Sequence, residues 1–436
     1  MEPLPSSVRE QPARTALRVV AIGGGTGLST LLKGLKKFVI APGQRPNTNK
    51  FDGLIAELSG VVTVSDDGGS SGRLRKELNM LPPGDIRNCV VALSEDEALM
   101  SKLFQHRFQK GSGLEGHSFG NLFLAALTSV TGDFAEAVRL SSDILLTRGH
   151  IYPATTSNVE LEARMEDSTR VLGETKITAS KGRIQELSLV PPDVKPMEQT
   201  LDAIANADLI TIGPGSLFTS LIPNLLVRGI PEAIVTSPAV KVFICNLMTQ
   251  ANESLDLTAA DHIRALNRHS QYDRLFDYAL INQKAVSNEM KAKYALEGGA
   301  PIVADLEAIE SLGVCPVLGD YLEEGDVARH GAIQPESPYR DRMRTSIRSS
   351  ATNPIVLRCR KTFRRKAPGQ VFIRRFEAVS FGHMWTSNFR ARRCFNVSFL
   401  YRSLRHRVTS ANYLPRNSRR LSRQATSLSV LMQPRS

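Results

Sequence analysis

Two apolar segments of this chain each run directly into a glycine-rich turn that is followed by helix-forming residues. Residues 19–22 lead into the turn at 23–27, and residues 209–212 lead into the turn at 213–216. Glycines remove side chains where the free N–H groups of a new helix point outward, next to the positive end of the helix dipole. This pattern predicts an α/β fold in which both turns hold phosphate groups of a ligand.

Neither turn fits a standard nucleotide motif. The dinucleotide pattern Gly-x-Gly-x-x-Gly needs a glycine at the position where this chain has Leu28. A P-loop needs Gly-Lys-Ser/Thr at the start of the helix, and neither turn contains a lysine. The sequence therefore disfavours NAD binding and ATP hydrolysis.

Apolar runs and turns alternate along most of the chain. We expect further strands at residues 60–64, 241–245, 278–281 and 301–304, with a β-rich stretch from 159 to 189. Alternation of this kind is typical of the α/β class, with a mainly parallel sheet flanked by helices.

Four loops of the chain follow the carboxyl ends of predicted strands. They span residues 23–27, 66–73, 213–216 and 246–250. In an open parallel sheet these strand ends lie along one edge, and ligands bind in the crevice outside them. The sequence therefore predicts one binding crevice to which all four loops contribute.

Asp66 and Asp67 stand side by side after the strand predicted at 60–64. Paired carboxylates at such a position suit a ribose diol, a base N–H group, or a Mg²⁺ ion that accompanies a diphosphate. The structural alternative is a solvated turn that caps the next helix. Their place in the predicted crevice favours a ligand-binding role.

Two further segments carry polar residues at predicted helix starts. Asp85 is expected to cap the helix that follows it, and Arg87 either reaches a phosphate or pairs with Asp85. Ser118 is expected to cap a strongly apolar helix. His117 is either a general acid or base or, as is commoner for a single histidine, a structural residue. No nucleophile elbow surrounds Ser118, which disfavours serine hydrolase chemistry.

Charge divides the chain near residue 330. Residues 331–436 carry 23 Lys and Arg against 3 Asp and Glu, whereas residues 1–330 carry 32 against 40, so the net charges are +20 and −8. We predict a disordered N-terminal arm at 1–17, a folded domain at 18–330 and a disordered Arg/Ser-rich tail at 331–436. Nucleic acid is not an expected partner except through this basic tail.

Cysteine usage and hydropathy indicate where the protein works. The five cysteines include no Cys-x-x-Cys pair and no histidine at zinc-ligand spacing. No run of about 18 uncharged apolar residues occurs. We therefore expect a cytoplasmic protein in a reducing compartment, with no membrane span and no structural metal.

Five segments carry a resemblance to a known family. They are 21–27 (AIGGGTG), 63–75 (TVSDDGGSSGRLR), 82–88 (PPGDIRN), 116–121 (GHSFGN) and 212–217 (IGPGSL). In this order they resemble the bacterial gluconeogenesis factors, also described as UDP-N-acetylglucosamine-binding morphogenesis proteins, which are similar in fold to 2-phospho-L-lactate transferase. The likeness runs from residue 18 to about 330.

The resemblance implies a Rossmann-like core that binds a UDP-sugar and links carbon metabolism to cell-wall synthesis and cell shape, with the cell-wall machinery as a partner. It implies no established catalytic residue, and it matches Tyr294 and Arg329 to positions tied to the nucleotide-sugar. The chain departs from the family after His330, where it lacks the Asp-Pro and closing helix that the family has. Either a lineage-specific extension or a frameshifted gene end explains that change.

Two functions follow as hypotheses. The first is a sensor of UDP-N-acetylglucosamine or a related nucleotide-sugar. A fold of this size is also compatible with a homo-oligomer. The alternative is a transferase of phosphorus-containing groups in which Asp66 and Asp67 hold Mg²⁺. The predicted ligand-binding residues are Gly23, Gly24, Gly25, Thr26, Gly27, Asp66, Asp67, Ser70, Ser71, Arg73, Asp85, Arg87, His117, Ser118, Asn121, Gly213, Pro214, Gly215, Ser216, Asn246, Thr249, Tyr294 and Arg329.

Overall fold

A computed structural model describes residues 16–40, 55–95, 99–180 and 182–330. Nearly all of the predicted N-terminal arm and the whole basic tail lie outside these residues, so the predicted domain boundaries stay predictions.

Strands and helices alternate along the described residues. The β-strands are β1 (Leu17–Gly23), β2 (Ile55–Val62), β3 (His150–Pro153), β4 (Glu160–Met165), β5 (Arg170–Leu172), β6 (Ile184–Val190), β7 (Leu209–Ile212), β8 (Val240–Ile244), β9 (Tyr278–Asn282), β10 (Cys315–Gly319), β11 (Leu322–Glu324) and β12 (Ala328–His330). The α-helices are α1 (Gly25–Leu35), α2 (Gly69–Leu78), α3 (Gly84–Leu93), α4 (Leu99–Gln105), α5 (Phe119–Thr131), α6 (Phe134–Ile144), α7 (Glu174–Ala179), α8 (Glu198–Asn206), α9 (Ile222–Leu225), α10 (Ile230–Thr236), α11 (Ala259–Ser270), α12 (Asn288–Ala295) and α13 (Leu306–Ser311).

Seven of these strands form one parallel sheet in the order β10-β9-β8-β7-β1-β2-β3. In the interior strand β1, Val19, Val20, Ala21 and Ile22 are all buried, because both faces of the sheet are covered. The same four residues pair with Leu209–Ile212 of β7 on one side, and β2 pairs with β1 on the other. The predicted α/β class with a mainly parallel sheet is confirmed.

One predicted strand is wrong. Residues 301–304 form no strand, and Pro301 makes only an isolated bridge to Met248. The edge of the sheet is instead β10, which pairs with β9. Its Pro316 cannot donate to a ladder, which is tolerated at an edge and makes such a strand hard to recognise from sequence.

A small antiparallel sheet, β5-β4-β6, is inserted between β3 and β7 and matches the predicted β-rich stretch. Strand β4 alternates buried and half-buried residues, so Leu161, Ala163 and Met165 face the core. We call this sheet together with α7 the inserted lobe. It lies beside the acidic loop after β2, because Thr175 and Glu174 of α7 contact that loop.

Helices α4, α5 and α6 pack with α3, whose inner residues Ile86, Cys89 and Leu93 are fully buried.

No helix among the described residues is long and apolar enough to cross a membrane.

Candidate functional site

The four predicted loops lie side by side at one edge of the sheet. They follow β8, β7, β1 and β2, which are consecutive neighbours in the sheet order. Asn246 after β8 bonds to the backbone of Gly215 after β7 in both directions, with N···O distances of 3.0 and 2.7 Å. The loops after β8 and β7 are therefore in direct contact at the edge that the strand ends predict, and the binding crevice itself stays a prediction.

The two glycine turns are packed against each other so closely that side chains are excluded. A Cβ atom on Gly27 would collide with the carbonyl oxygen of Pro214, and one on Gly24 would lie 2.6 Å from the Thr63 methyl group. Gly213 has a φ of 88°, in the left-handed region that favours glycine. Glycine is thus required at Gly27 because the backbones of the two turns approach each other closely, and at Gly213 because of its backbone conformation.

A carboxylate of the chain caps the first glycine turn. The N–H of Gly25 donates to Oδ2 of Asp85 at 2.7 Å. The expectation that Asp85 caps its own helix is wrong, because α3 starts after Pro83 without a side-chain cap. Burial raises the pKa of Asp85 to about 6, with the nearby Asp66 contributing.

A second carboxylate, on the half-buried Glu253, caps the helix after the other turn. Glu253 Oε1 accepts from the N–H groups of Phe218 and Thr219, at 3.0 and 2.9 Å, where a π-helical turn begins at Leu217. Burial raises the pKa of Glu253. Sequence reasoning missed Glu253, since only the fold brings it to this helix start. At both turns, carboxylates of the chain itself therefore already accept from backbone N–H groups that could otherwise bind an anion.

The inserted lobe adds an acidic residue that the sequence did not point to. Glu174 lies close to Asp66 and Asp85, and Ser65 Oγ donates to its Oε2 at 3.3 Å. Burial, followed by the charges of Asp66, Asp85 and Asp67, raises the pKa of Glu174 to about 9. Glu174 is therefore mostly protonated at neutral pH.

Asp66 and Asp67 have different partners. Asp66 accepts from the N–H of Gly68 at 2.9 Å, whereas Asp67 accepts from both the N–H and the hydroxyl of Thr175 and so binds the start of α7. Among the described residues no group of three or more His, Cys, Asp or Glu is arranged to hold a metal ion. Asp66 and Asp67 thus bond to different parts of the chain, and their role as Mg²⁺ ligands in the transferase alternative stays a prediction.

A buried polar network joins α2, α3 and α5. His117 Nδ1 and Ser70 Oγ are 2.9 Å apart, Asn121 Nδ2 donates to Ser70 Oγ at 3.0 Å, and Arg87 donates to Asn121 Oδ1 at 2.9 Å. Burial and then the charge of Arg73 lower the pKa of His117, which favours the neutral imidazole. His117 is only 3% exposed, which agrees with the structural interpretation.

The same network bears on two expectations, the helix cap at Ser118 and the pairing of Arg87 with Asp85. Ser118 caps α5 as predicted, since its hydroxyl accepts from the N–H of Asn121. Arg87 donates to Ser118, Asn121 and Asn88, and not to Asp85. Arg73 donates to the carbonyl oxygen of Glu115 at 2.7 Å.

The C-terminal part of the described chain lies next to Asn246. Thr249 Oγ1 accepts from the N–H of Ala300 at 2.9 Å, and the Tyr294 hydroxyl accepts from the N–H of Ala328 at 3.3 Å. The His330 ring bonds to the carbonyl oxygen of Cys245 at 2.9 Å. These contacts hold the β11–β12 hairpin, with the exposed Arg329, close to the end of β8.

Of the remaining predicted residues, Ser216 lies at the same edge, where its hydroxyl accepts from Gln250 at 2.8 Å. Ser71 is buried against the start of α3, near Gly84. The structure brings the glycine turns, Ser216 and Asn246 into direct contact, and it places Tyr294 and Arg329 on the neighbouring hairpin side.

Comparison with known proteins gives consistent matches over the described domain. A family model described as 2-phospho-L-lactate transferase CofD matches residues 19–322. A gluconeogenesis factor of Halalkalibacterium halodurans is 48% identical over 316 residues, which is 72% of this chain and 92% of that protein. The gluconeogenesis factor of Bacillus subtilis is 47% identical over 315 residues, 72% and 94% of the two chains. A crystal structure of a UPF0052 family member from Bacillus halodurans superposes with a TM-score of 0.67 at 47% identity and covers 72% of this chain and 96% of that one.

Proposed function

Because the chain belongs to the family of 2-phospho-L-lactate transferase CofD and of the gluconeogenesis factors, we propose that it binds a nucleotide-sugar as a regulator. The ligand is UDP-N-acetylglucosamine or a close relative. Through this binding the protein links the carbon supply to cell-wall synthesis and cell shape in the cytoplasm.

One observation carries the proposal: the two glycine turns and Asn246 form a single contiguous backbone surface. The reciprocal bonds between Asn246 and Gly215 fix the second turn, and the close approach of Gly27 to Pro214 fixes the first turn against it. The N–H groups of Gly25 and Gly215 already donate to Asp85 and Asn246, so a diphosphate would bind the remaining N–H groups of the turns, which the glycines leave open to close approach. A preorganised surface also lowers the entropy cost of binding.

Charge determines where a diphosphate can lie. Asp85 and Glu253 already cap the two helix starts, so a cation is needed to offset their charge. Both terminal nitrogens of the Arg87 guanidinium donate to polar side chains, whereas its Nε is buried without a partner. We assign the donation to phosphate oxygens to Arg329, because it is exposed on the hairpin. Tyr294, which bonds to the same hairpin, supplies an aromatic face beside it.

The structural setting of the candidate proton-transfer groups favours binding over turnover. Ser70 and His117 are 4% and 3% exposed and bond to each other, so a substrate hydroxyl does not reach them. Asp67 is engaged at the start of α7. The transferase alternative is supported by a different observation, the raised pKa values of Asp85 and Glu174 next to the first turn.

Calorimetric titration of the full chain with UDP-N-acetylglucosamine, UDP-glucose, GDP and NAD, with and without Mg²⁺, tests the proposal. We expect saturable binding of the UDP-sugar, with mass spectrometry showing that the sugar is recovered intact. Asn246→Ala is expected to weaken binding by about tenfold or more, since it frees the second turn. The matched control is Asn206→Ala on α8, whose amide bonds only to Asp202 of its own helix.

Three results contradict the regulator. They are equal affinity of the two asparagine variants, no binding of the UDP-sugar, and Mg²⁺-dependent release of a nucleoside monophosphate. The last of these would support the transferase instead.

A further inference from the structure

A cavity of about 280 Å³ lies between helix α8 and the amino-terminal half of strands β1 and β2, beside β3. Its lining on β1 is Arg18–Val20, which precede the turn residue Gly23 by three to five residues. At about 3.3 Å per residue of strand, the cavity is roughly 10–16 Å from the edge at which the glycine turns lie. It is therefore separate from the candidate functional site, and what it binds does not depend on the proposed function.

Regular elements form both walls of this cavity. The sheet wall consists of side chains from three neighbouring strands, Arg18, Val20, Glu57, Ser59 and Tyr152. The pairing registers of β1 with β2 and of β2 with β3 put these five residues on one face of the sheet. The helix wall consists of residues 199, 202, 203 and 206 of α8, whose spacing makes them neighbours on one helix face. The position of each lining side chain is thus fixed by the fold.

Two carboxylates line the cavity, and neither has an ion-pair partner in the part of the chain that the structure describes. Glu57 belongs to the sheet wall and Asp202 to the helix wall. The cation of the lining, Arg18, is bonded to Asp208, with distances of 3.2 Å from Nε to Oδ2 and 3.4 Å from Nη2 to Oδ1. The hydrogen bond from Arg18 to Asp208 is the main cause of the raised pKa of Arg18, and the charge of Glu57 contributes least. The negative charges of Glu57 and Asp202 are therefore left for a ligand.

Two hydroxyl groups of the sheet wall lack hydrogen-bond partners among the described residues. Ser59 is only 2% exposed, and its hydroxyl is bonded to no other described side chain or backbone group. Buried polar groups are normally hydrogen-bonded, so an unpartnered one at a cavity indicates a polar ligand. The second hydroxyl is that of the half-buried Tyr152. Burial, followed by the charges of Glu57 and Asp202, raises the pKa of Tyr152, which shows that both carboxylates lie near this hydroxyl.

We propose that this cavity binds an aliphatic diamine, with one ammonium group donating to Glu57 on the sheet and the other to Asp202 on α8. An ammonium group has three donors and no acceptor, so it also satisfies the hydroxyl oxygen of Ser59. The ring of Tyr152 attracts a cation through its face. Ala203 on the helix wall packs against the methylene groups between the two charges.

The lining disfavours other classes of ligand. Both carboxylates repel an anion. No group of three His, Cys, Asp or Glu within the described ranges is arranged to hold a metal ion. A monoamine leaves one of the two carboxylates unpaired. The volume of about 280 Å³ is just below the range of about 300–1,000 Å³ for sites of drug-sized ligands, which suits a short amine better than a nucleotide-sugar.

Calorimetric titration of the full chain with 1,4-diaminobutane tests the proposal. At about 0.15 M NaCl the Debye length is about 8 Å, so general attraction to an acidic surface is screened. We expect saturable binding of one diamine per chain, and about tenfold or more weaker binding for Asp202→Asn and for Glu57→Gln, because each removes a charged acceptor. The matched control is Asp256→Asn. Asp256 is an exposed carboxylate bonded to Arg183 at 3.3 Å and outside the lining, so this variant should bind like the unmodified chain.

A second variant tests the location without changing any charge. Ala203→Leu fills the cavity from a helix position that leucine suits, so it should abolish diamine binding while a thermal melt shows that the chain is folded. The probe 1-aminobutane should bind the unmodified chain about tenfold more weakly than the diamine. Absence of saturable diamine binding overturns the proposal, as does equal affinity of Asp202→Asn and Asp256→Asn. Undiminished binding to a folded Ala203→Leu variant, equal affinity for the two amines, or competition between the diamine and UDP-N-acetylglucosamine also overturns it.

Discussion

Replacing Asp85 with asparagine is expected to stabilise the protein above pH 6 and to change little near pH 4. The pKa of Asp85 is raised from 3.8 to about 6 in the folded protein, chiefly by burial. The folded state therefore binds this proton more tightly than the unfolded chain does. Stability accordingly falls as the pH rises from about 3.8 to about 6.

The size of the effect follows from this shift. A shift of about two pKa units corresponds to about 3 kcal/mol of lost stability above pH 6. The bond from the N–H of Gly25, 2.7 Å from Oδ2, favours the charged carboxylate and is already contained in the shift. Because the amide oxygen of Asp85→Asn accepts this bond as the protonated carboxyl does, the stabilisation expected at pH 8 is about 3 kcal/mol.

Urea denaturation of the full chain and the variant across this pH range measures the difference. The control is Asp133→Asn, which replaces another carboxylate that accepts one backbone N–H, at 2.7 Å from Glu136, but on the exposed start of α6. It should change stability by less than about 0.5 kcal/mol, because asparagine and aspartate cap helices about equally well. A stability difference for Asp85→Asn that is the same at pH 4 and pH 8 would refute the reasoning.

Two more perturbations follow from the packing. Gly27→Ala should lower the free energy of unfolding by about 3 kcal/mol, because its Cβ collides with the backbone of Pro214, whereas Gly325→Ala has no atom within 4 Å and should be neutral in the same thermal melt. His269 accepts from the N–H of Leu187 at 3.1 Å, and burial lowers its pKa below 6.5. Protonation therefore breaks this bond, and stability should fall as the pH drops below 6.5. His269→Gln, which keeps an acceptor, should lose less stability between pH 7 and pH 5 in chemical denaturation, and an identical loss in both proteins would contradict this role.

The parallel sheet could be predicted because its signals are local. Apolar runs such as 209–212 end at glycines that the next helix requires, and the structure has β7 at those bounds. Ser118 was recognisable as a helix cap from its neighbours alone. The edge strand β10 could not be recognised, since Pro316 and Gly319 are typical of turns and only pairing with β9 makes this segment a strand.

The charges of the candidate site were less predictable than its backbone. The glycine turns and Asn246 are recognisable by their place after apolar runs. Glu174 and Glu253 are ordinary acidic residues in sequence, and they reach the site only because the inserted lobe and the segment after β8 fold against it. The sequence predicts that Asp85 caps the helix that follows it. Its carboxylate accepts instead from the N–H of Gly25, 60 residues away in the chain. Long-range contacts of this kind leave no periodic signal.

The position of β1 inside the sheet, between β7 and β2, has a consequence for synthesis of the protein. Its first glycine turn leaves the ribosome early, yet its neighbour β7 lies far along the chain, as the bonds between Arg18 and Asp208 span 190 residues. At about 5–20 residues per second, the growing chain waits roughly 10–40 s for this pairing. During that time the apolar edge of β1 has no strand beside it on the β7 side. The contact between the two glycine turns thus forms late in translation, only after the chain has been made beyond β7.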